Sequence, residues 1–506
     1  MPASVETTAP LPGLSPVADK PIIAAFDAEG FSASGGLLTL REIEQRLGLA
    51  PRLAAYVADP RQPTQVVHPV EDIVRFRMLM IATGHEDGND ADVLRHDPMF
   101  KLAMGRLPTS EPLCSQSTIS RLENLPDRRS LLRMGYGMID FYCDSFRQVP
   151  RRIVLDIDDH FDAAHGEQEL RVFNAHYDEH GFSPIVVFDG DGRLVAAVLR
   201  PAKRPSGHEI VMLLRRLIGR LRANWPRIEI LLRGDSHYCA PEALRFCRAN
   251  QVDWVLGVAT TPTLRRHIVG LEQSTAKRLA AGGNVEKCRR FKEFHDGAGS
   301  WGRVERIIAR VEARPEGVDT RFVTTSLAGG SARTVYERIY CQRGQMENHI
   351  KSFKLHLAAD RTPCHTASAN QMRLFLHAGA YWILWTLRAA MPRRSSWRTM
   401  QFDTLRLLIV NLVVRVVELK QQVRLHLPIC TPDQAIFALV LGRLPRLICR
   451  TMGPVPRRPL PSTFSHYPSF SQRPSPMAVR SRVRPSQKYR HRCRTSGSTG
   501  PVHYPG

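Results

Sequence analysis

The sequence has little that would place it outside a cell or within a membrane. Its ten cysteines are scattered with no C-x-x-C pair, so neither a zinc ribbon nor a disulfide framework is indicated. Reduced thiols in a cytoplasmic protein fit that pattern. The longest apolar stretch, 374–387, contains His377 and is too short to span a bilayer, so no membrane partner is expected. The opening residues lack a basic segment followed by an apolar one, and no signal peptide is expected. Acidic charge is also scarce. Against 71 Lys and Arg stand 48 Asp and Glu in 506 residues, a net charge of +23. Residues 451–506 hold no acid, yet the first 450 residues still carry +13. A chain basic along its length favours a polyanionic partner, of which nucleic acid is the commonest.

Composition and periodicity divide the chain into five parts. Residues 1–35, rich in Pro, Ala, Ser and Gly, read as loosely ordered. Residues 36–149 carry apolar side chains at three- and four-residue spacing, a helical pattern. Within them SQSTISRLENL (115–125) has the look of a DNA-reading helix, with Ser115, Ser117 and Thr118 available to cap it and Arg121 exposed. An ordinary capped helix fits the same residues. Residues 150–365 change character. Stretches 151–159, 183–190 and 193–201 read as strands, 206–225 as a helix, 228–235 as a strand, 240–250 as a helix and 252–259 as a strand. Three strands, helix, strand, helix, strand is the order of a ribonuclease-H-like core, an α/β fold. Residues 260–330 interrupt it and read as an inserted β-rich unit, after which a helix over 331–357 returns to the core. Residues 366–450 read as a helical C-terminal region, with long helices at 366–391 and 402–427. The proline-rich basic tail, 451–506, is expected to be disordered.

Three carboxylates stand out within that core. Strand 151–159 ends with Asp156, Asp158 and Asp159, and residues two apart on a strand face one side, so Asp156 and Asp158 point together. Asp235 closes the strand 228–235, at the end of an α/β sheet where ligands bind. Glu347 lies in YERIYCQRGQMENHIKSFKLH (336–356). On an ideal helix Tyr340, Arg343, Glu347, Lys351 and Lys354 share an arc of about 80°. One acid thus sits among three cations. Three carboxylates from separate elements suit two divalent ions, with hard oxygen ligands favouring Mg²⁺ or Mn²⁺. The cations beside Glu347 then serve as phosphate clamps. Arg200, Lys203 and Arg204, in a loop entering a helix, are further candidates to hold phosphate.

Tyr340-x2-Arg343-x3-Glu347-x6-Lys354 resembles the Y-(2)-R-(3)-E-(6)-K signature of DDE transposases from bacterial insertion sequences. VLDIDD, HGEQEL, LLRGDSHYCAPE and FDTLRLLIVNLVVRVVELKQQVRLHLP resemble the group-1 DDE transposase domain, and the similarity runs from roughly 20 to 445. The resemblance implies a ribonuclease-H-like catalytic core with a β-rich insertion, flanked by helical regions. It implies a cytoplasmic, nucleoid-associated bacterial enzyme that binds the inverted-repeat ends of its element as a homodimer, cleaves double-stranded DNA and joins it to a target. Asp235 and Glu347 match the second and third acids. Asp158 is the first, with Asp156 its rival, because relatives show D-x-T where His160 follows here. Tyr340, Arg343 and Lys354 match positions that bear on DNA, and Trp301 resembles an aromatic that stacks on a flipped base. A nuclease of the same core without strand transfer, and a catalytically inactive protein that only occupies DNA ends, remain alternatives.

Overall fold

Leu155 and Ile157 alternate with Asp156 and Asp158 in the strand at the centre of the molecule, and this alternation fixes what each face of the main sheet carries. In the computed structural model, which describes residues 15–282 and 286–447, eight strands make up that sheet. They are β1 (Arg152–Asp159), β2 (Ile185–Asp189), β3 (Leu194–Val198), β4 (Glu229–Gly234), β5 (Val252–Val258), β6 (Cys288–Asp296), β7 (Glu305–Arg314) and β8 (Gly317–Thr325). Their spatial order is β6-β7-β8-β5-β4-β1-β2-β3. β1 runs parallel to β4 and β4 parallel to β5, while the remaining pairs are antiparallel. The parallel pairs need crossovers. Helices α1 (Gly207–Asn224) and α2 (Pro241–Ala249) supply them. Helix α1 starts on a capping box in which Ser206 and Glu209 satisfy each other's backbone N–H groups.

The seven core elements read from the sequence between 151 and 259 are all present, within a few residues at their ends. Other expectations need correction. Segment 331–357 is not one regular helix. Thr334–Tyr340 is a π turn and Cys341–Arg343 a 3₁₀ turn, before α3 (Gly344–Lys354) begins. The Ile339 carbonyl, which a regular helix would give to residue 343, accepts instead from the Arg233 guanidinium at 2.6 Å. The inserted unit has three strands as expected, but it also carries two helices not read from the sequence, Pro262–Arg266 and Val269–Ala281, ahead of them. Those strands extend the main sheet through Phe322 opposite Val258 rather than forming a sheet of their own.

Beyond α4 (Ala367–Ala390) the expected helix over 402–427 is replaced by short turns and a hairpin, Val414–Leu419 with Gln422–His426. The β-branched run around Val413, Val414, Val416 and Val417 favours the extended state, and period-two burial of Val414 and Val416 wins over helical spacing. Phe31–Ser32 adds a third strand to that hairpin, so part of the N-terminal segment taken as loosely ordered is ordered. A further three-stranded sheet within 162–182, not read from the sequence, follows directly on β1. The tail 451–506 lies outside the described residues.

The N-terminal helices, among them Val70–Thr83, Gln116–Asn124 and Arg128–Asp144, pack around α4 with its buried Tyr381, Trp382 and Leu384. Between them Glu123 is enclosed with Arg373 at 3.2 Å and Arg77 at 3.5 Å. No helix among the described residues is long and apolar enough to cross a membrane. None of the eight described cysteines is in a disulfide.

Candidate active site

The register of β1 against β4 pairs Ile157 with Gly234, so the next residues, Asp158 and Asp235, leave adjacent parallel strands side by side. Gly257 on β5 allows the close approach that follows. A Cβ there would stand 3.0 Å from the Ser236 nitrogen and 2.9 Å from the Tyr340 hydroxyl oxygen. The Asp235–Ser236 turn and Tyr340 therefore close over the same strand end. Asp235 accepts the His237 backbone N–H at 2.9 Å and remains partly open to solvent.

Asp158 is pushed up to about 7, chiefly by burial; Arg343 opposes the rise, and the charges of Asp235 and Asp159 add to it. Arg343 donates to its Oδ2 at 2.5 Å. Asp159, raised by burial, accepts from the buried Tyr238 hydroxyl at 2.8 Å. Asp156 shares Asp158's face of β1 but is engaged by Arg233 through two bonds of 2.7 Å, in a pair almost wholly buried. Its charge is matched within the fold, so of the two rivals Asp158 is the one whose pKa is raised by neighbouring carboxylates, Asp235 and Asp159.

The five residues of the expected helical stripe separate. Arg343 points at Asp158, and Tyr340 lies at the strand ends. Glu347 and Lys351 face solvent, Glu347 with no hydrogen-bond or ion-pair partner among the described residues. Lys354 turns inward, donating to the Phe161 carbonyl and standing 3.9 Å from Asp162. His160 is 3.3 Å from the same carboxyl and pushed down to about 3, mainly by burial and then by Lys354, so its ring is neutral and belongs to the packing behind β1. Among the described residues no three of His, Cys, Asp and Glu are gathered closely enough to hold an ion. Asp158 and Asp235 come together, and Glu347 stays apart from them.

Other candidates divide similarly. Arg200 is buried and bonded to Glu209 at 3.1 Å, so it is not free for phosphate. Lys203 and Arg204 are exposed, and Arg204 donates to the Ser236 carbonyl at 3.1 Å, next to Asp235. Trp301 is only 8% exposed and sits in the main apolar core, so its ring offers no open face for stacking. Arg121 is exposed on Gln116–Asn124. Sequence reading missed Arg233 and Tyr238. Arg233 shared a strand face with Asp235 by its two-residue spacing, a signal available in RGDSHY.

The donor set fits a hard divalent cation. Two carboxylates leave neighbouring strand ends, one of them held up to about 7 chiefly by burial and further by its acidic neighbours, and a cation there would favour the ionised form.

No curated protein matches the chain. A solved structure of a piggyBac transposase synaptic complex with hairpin DNA is similar over 74% of this chain and 80% of that one, at 10% identity and a TM-score of 0.38, a likeness too slight to bear on fold or activity. The family described as Transposase DDE domain group 1 matches residues 14–449, which take in Asp158, Asp235 and Glu347 and all of the described residues, and the chain belongs to that family.

Proposed function

We propose that the protein is the DNA transposase of an insertion sequence, binding the terminal inverted repeats and performing cut-and-paste transposition. The observation that carries the reading is that Asp158 and Asp235 each follow the Ile157–Gly234 pair at the C-terminal ends of neighbouring parallel strands. The order β3-β2-β1-β4-β5 supports a ribonuclease-H-like core around them. Hydrolysis cuts one strand, and the freed 3′-OH then attacks a target phosphodiester in line.

Family members use divalent metal ions, and here Asp158, Asp235 and Glu347 would hold Mg²⁺ or Mn²⁺, as two ions. When bound, these supply the Lewis acidity that activates the attacking oxygen and steadies the leaving one. Arg343, which donates to Asp158, would be released toward a phosphate oxygen if that carboxylate held a cation. Arg204, fixed by the Ser236 carbonyl, holds the DNA backbone beside Asp235, and Lys203 and Arg121 add backbone contacts further out. Glu347 would complete the set from helix α3, whose preceding turn is tied to Asp158 through Arg343. A homodimer would bring two ends together.

Glu347's outward position favours one second reading, an inactive protein that occupies the ends without cutting them. An excision assay in cells separates the two. A marker flanked by the gene's own ends should be lost with wild type and retained with Glu347→Gln. Retention with both proteins, while both still bind the ends, would establish the second reading.

A further inference from the structure

Helix α3 has a second polar face. Taking Glu347 as zero on an ideal helix, Lys351 lies about 40° round, and Gln345, Asn348, His349 and Ser352 follow at about 100–200°. That face closes one side of a cavity of about 420 Å³. The turn between β2 and β3, the end of α4 and the 398–401 segment close the others, bringing Asp191, Arg193, Trp385, Arg388 and Arg398 to its lining.

The charge there is one-sided. Four cations line the cavity, Arg193, Lys351, Arg388 and Arg398, against a single carboxylate, Asp191. Asp191 is already paired with Arg193 at 2.8 Å. Lys351, Arg388 and Arg398 make no ion pair among the described residues. What holds them is neutral. Arg398 donates to the Arg388 carbonyl at 3.1 Å, Arg388 stacks over Phe402 at 4.8 Å, and Lys351 reaches the Gln401 side chain at 3.5 Å. Burial, then the nearby Arg388 and Arg393, lower Arg398 from its ordinary value, the mark of a guanidinium in want of an anion. The floor is rigid. Gly192, at φ +80°, lies against the His349 ring, and Trp385 donates to the Asp191 carbonyl at 3.3 Å under the Arg193 guanidinium.

We infer that this cavity is a phosphate-binding site that takes the backbone of the bound DNA strand beyond the cut. Lys351 connects it to the face carrying Glu347, so one strand can pass from the carboxylates into the cavity, its phosphates held in turn by Lys351, Arg398 and Arg388. The proposal rests on the transposase reading and adds to it a contact that fixes the strand's path.

The test is end binding by the full chain in EDTA, which removes any contribution from metal or cleavage. Affinity for a duplex carrying the element's own end is measured across a salt series for wild type, Arg398→Gln, Arg398→Gln with Lys351→Gln, and Arg398→Lys. Each lost phosphate contact should lower the slope of log K against log salt by about 0.9. The single Gln variant should show that drop, the double variant about twice it, and Arg398→Lys should keep the wild-type slope. Unchanged slopes with normal end binding would overturn the site and leave the transposase reading standing. Absence of end binding by wild type would overturn both. Calorimetric titration with inorganic phosphate separates the sources. Phosphate binding that needs Arg398, with DNA slopes unaffected, would mark a site for the free anion and overturn the DNA path.

Discussion

Arg343 and Asp158 meet at 2.5 Å, and through that bond a residue just ahead of helix α3 guards the carboxylate at the end of β1. The guanidinium stands where a cation is wanted. It does so incompletely, since Asp158 is still pushed up to about 7.

That imbalance makes Asp158 a cost to stability in the metal-free protein. A carboxyl raised in the folded state binds its proton more tightly there than in the unfolded chain, so folding loses stability as pH climbs from the ordinary carboxylate range, about 4, to about 7. Asp158→Asn should therefore melt higher than wild type in EDTA at pH 8, by no more than about 4 kcal/mol, with the gap closing toward pH 4. Adding Mg²⁺ should stabilise wild type and not the variant. Thermal melts across pH, with and without the ion, check both statements.

Asp156 should behave in the opposite sense. It is buried and bonded twice to Arg233, so Asp156→Asn leaves a guanidinium without its counter-charge inside the fold. A loss of about 3–5 kcal/mol in urea unfolding is expected. The two neighbouring aspartates, two residues apart, are thus told apart by the sign of their effect.

Glu123→Ala should cost a similar amount for the same reason, because Arg77 and Arg373 would face each other without an acid. Arg77 is already lowered to about 10 by burial and by Arg373. The loss is expected to loosen the N-terminal helices from α4, seen as faster hydrogen exchange over Val70–Thr83 than over β1.

The main sheet was legible because its strands and helices alternate with unmixed periods. Apolar β1, β4 and β5 end in turn residues, and helix α1 announces itself by Ser206 and Glu209. What was not legible depended on contacts far apart in the chain. The π turn before α3 exists because Arg233, 106 residues away, takes the Ile339 carbonyl. The hairpin at Val414–His426 has helical spacing as well as β-branched residues, and pairing with Phe31–Ser32 decides between them. In the candidate site, spacing singled out Asp158, Asp235 and Arg343, but it could not reveal that Lys354 turns inward to the Phe161 carbonyl or that Arg200 is consumed by Glu209.

On the proposed reading, Asp158 and Asp235 form the metal-holding heart of a DNA-cutting site. The most direct test of that reading is nicking of a duplex bearing the element's own end, by purified protein with Mg²⁺ or Mn²⁺, for wild type beside Asp235→Asn. Wild type should nick at the end only when the ion is present. The variant should bind the same duplex equally well and lose at least about a thousandfold in rate, the scale set by removing one well-placed electrostatic group. Nicking that survives Asp235→Asn, or that proceeds undiminished in EDTA, would contradict the account.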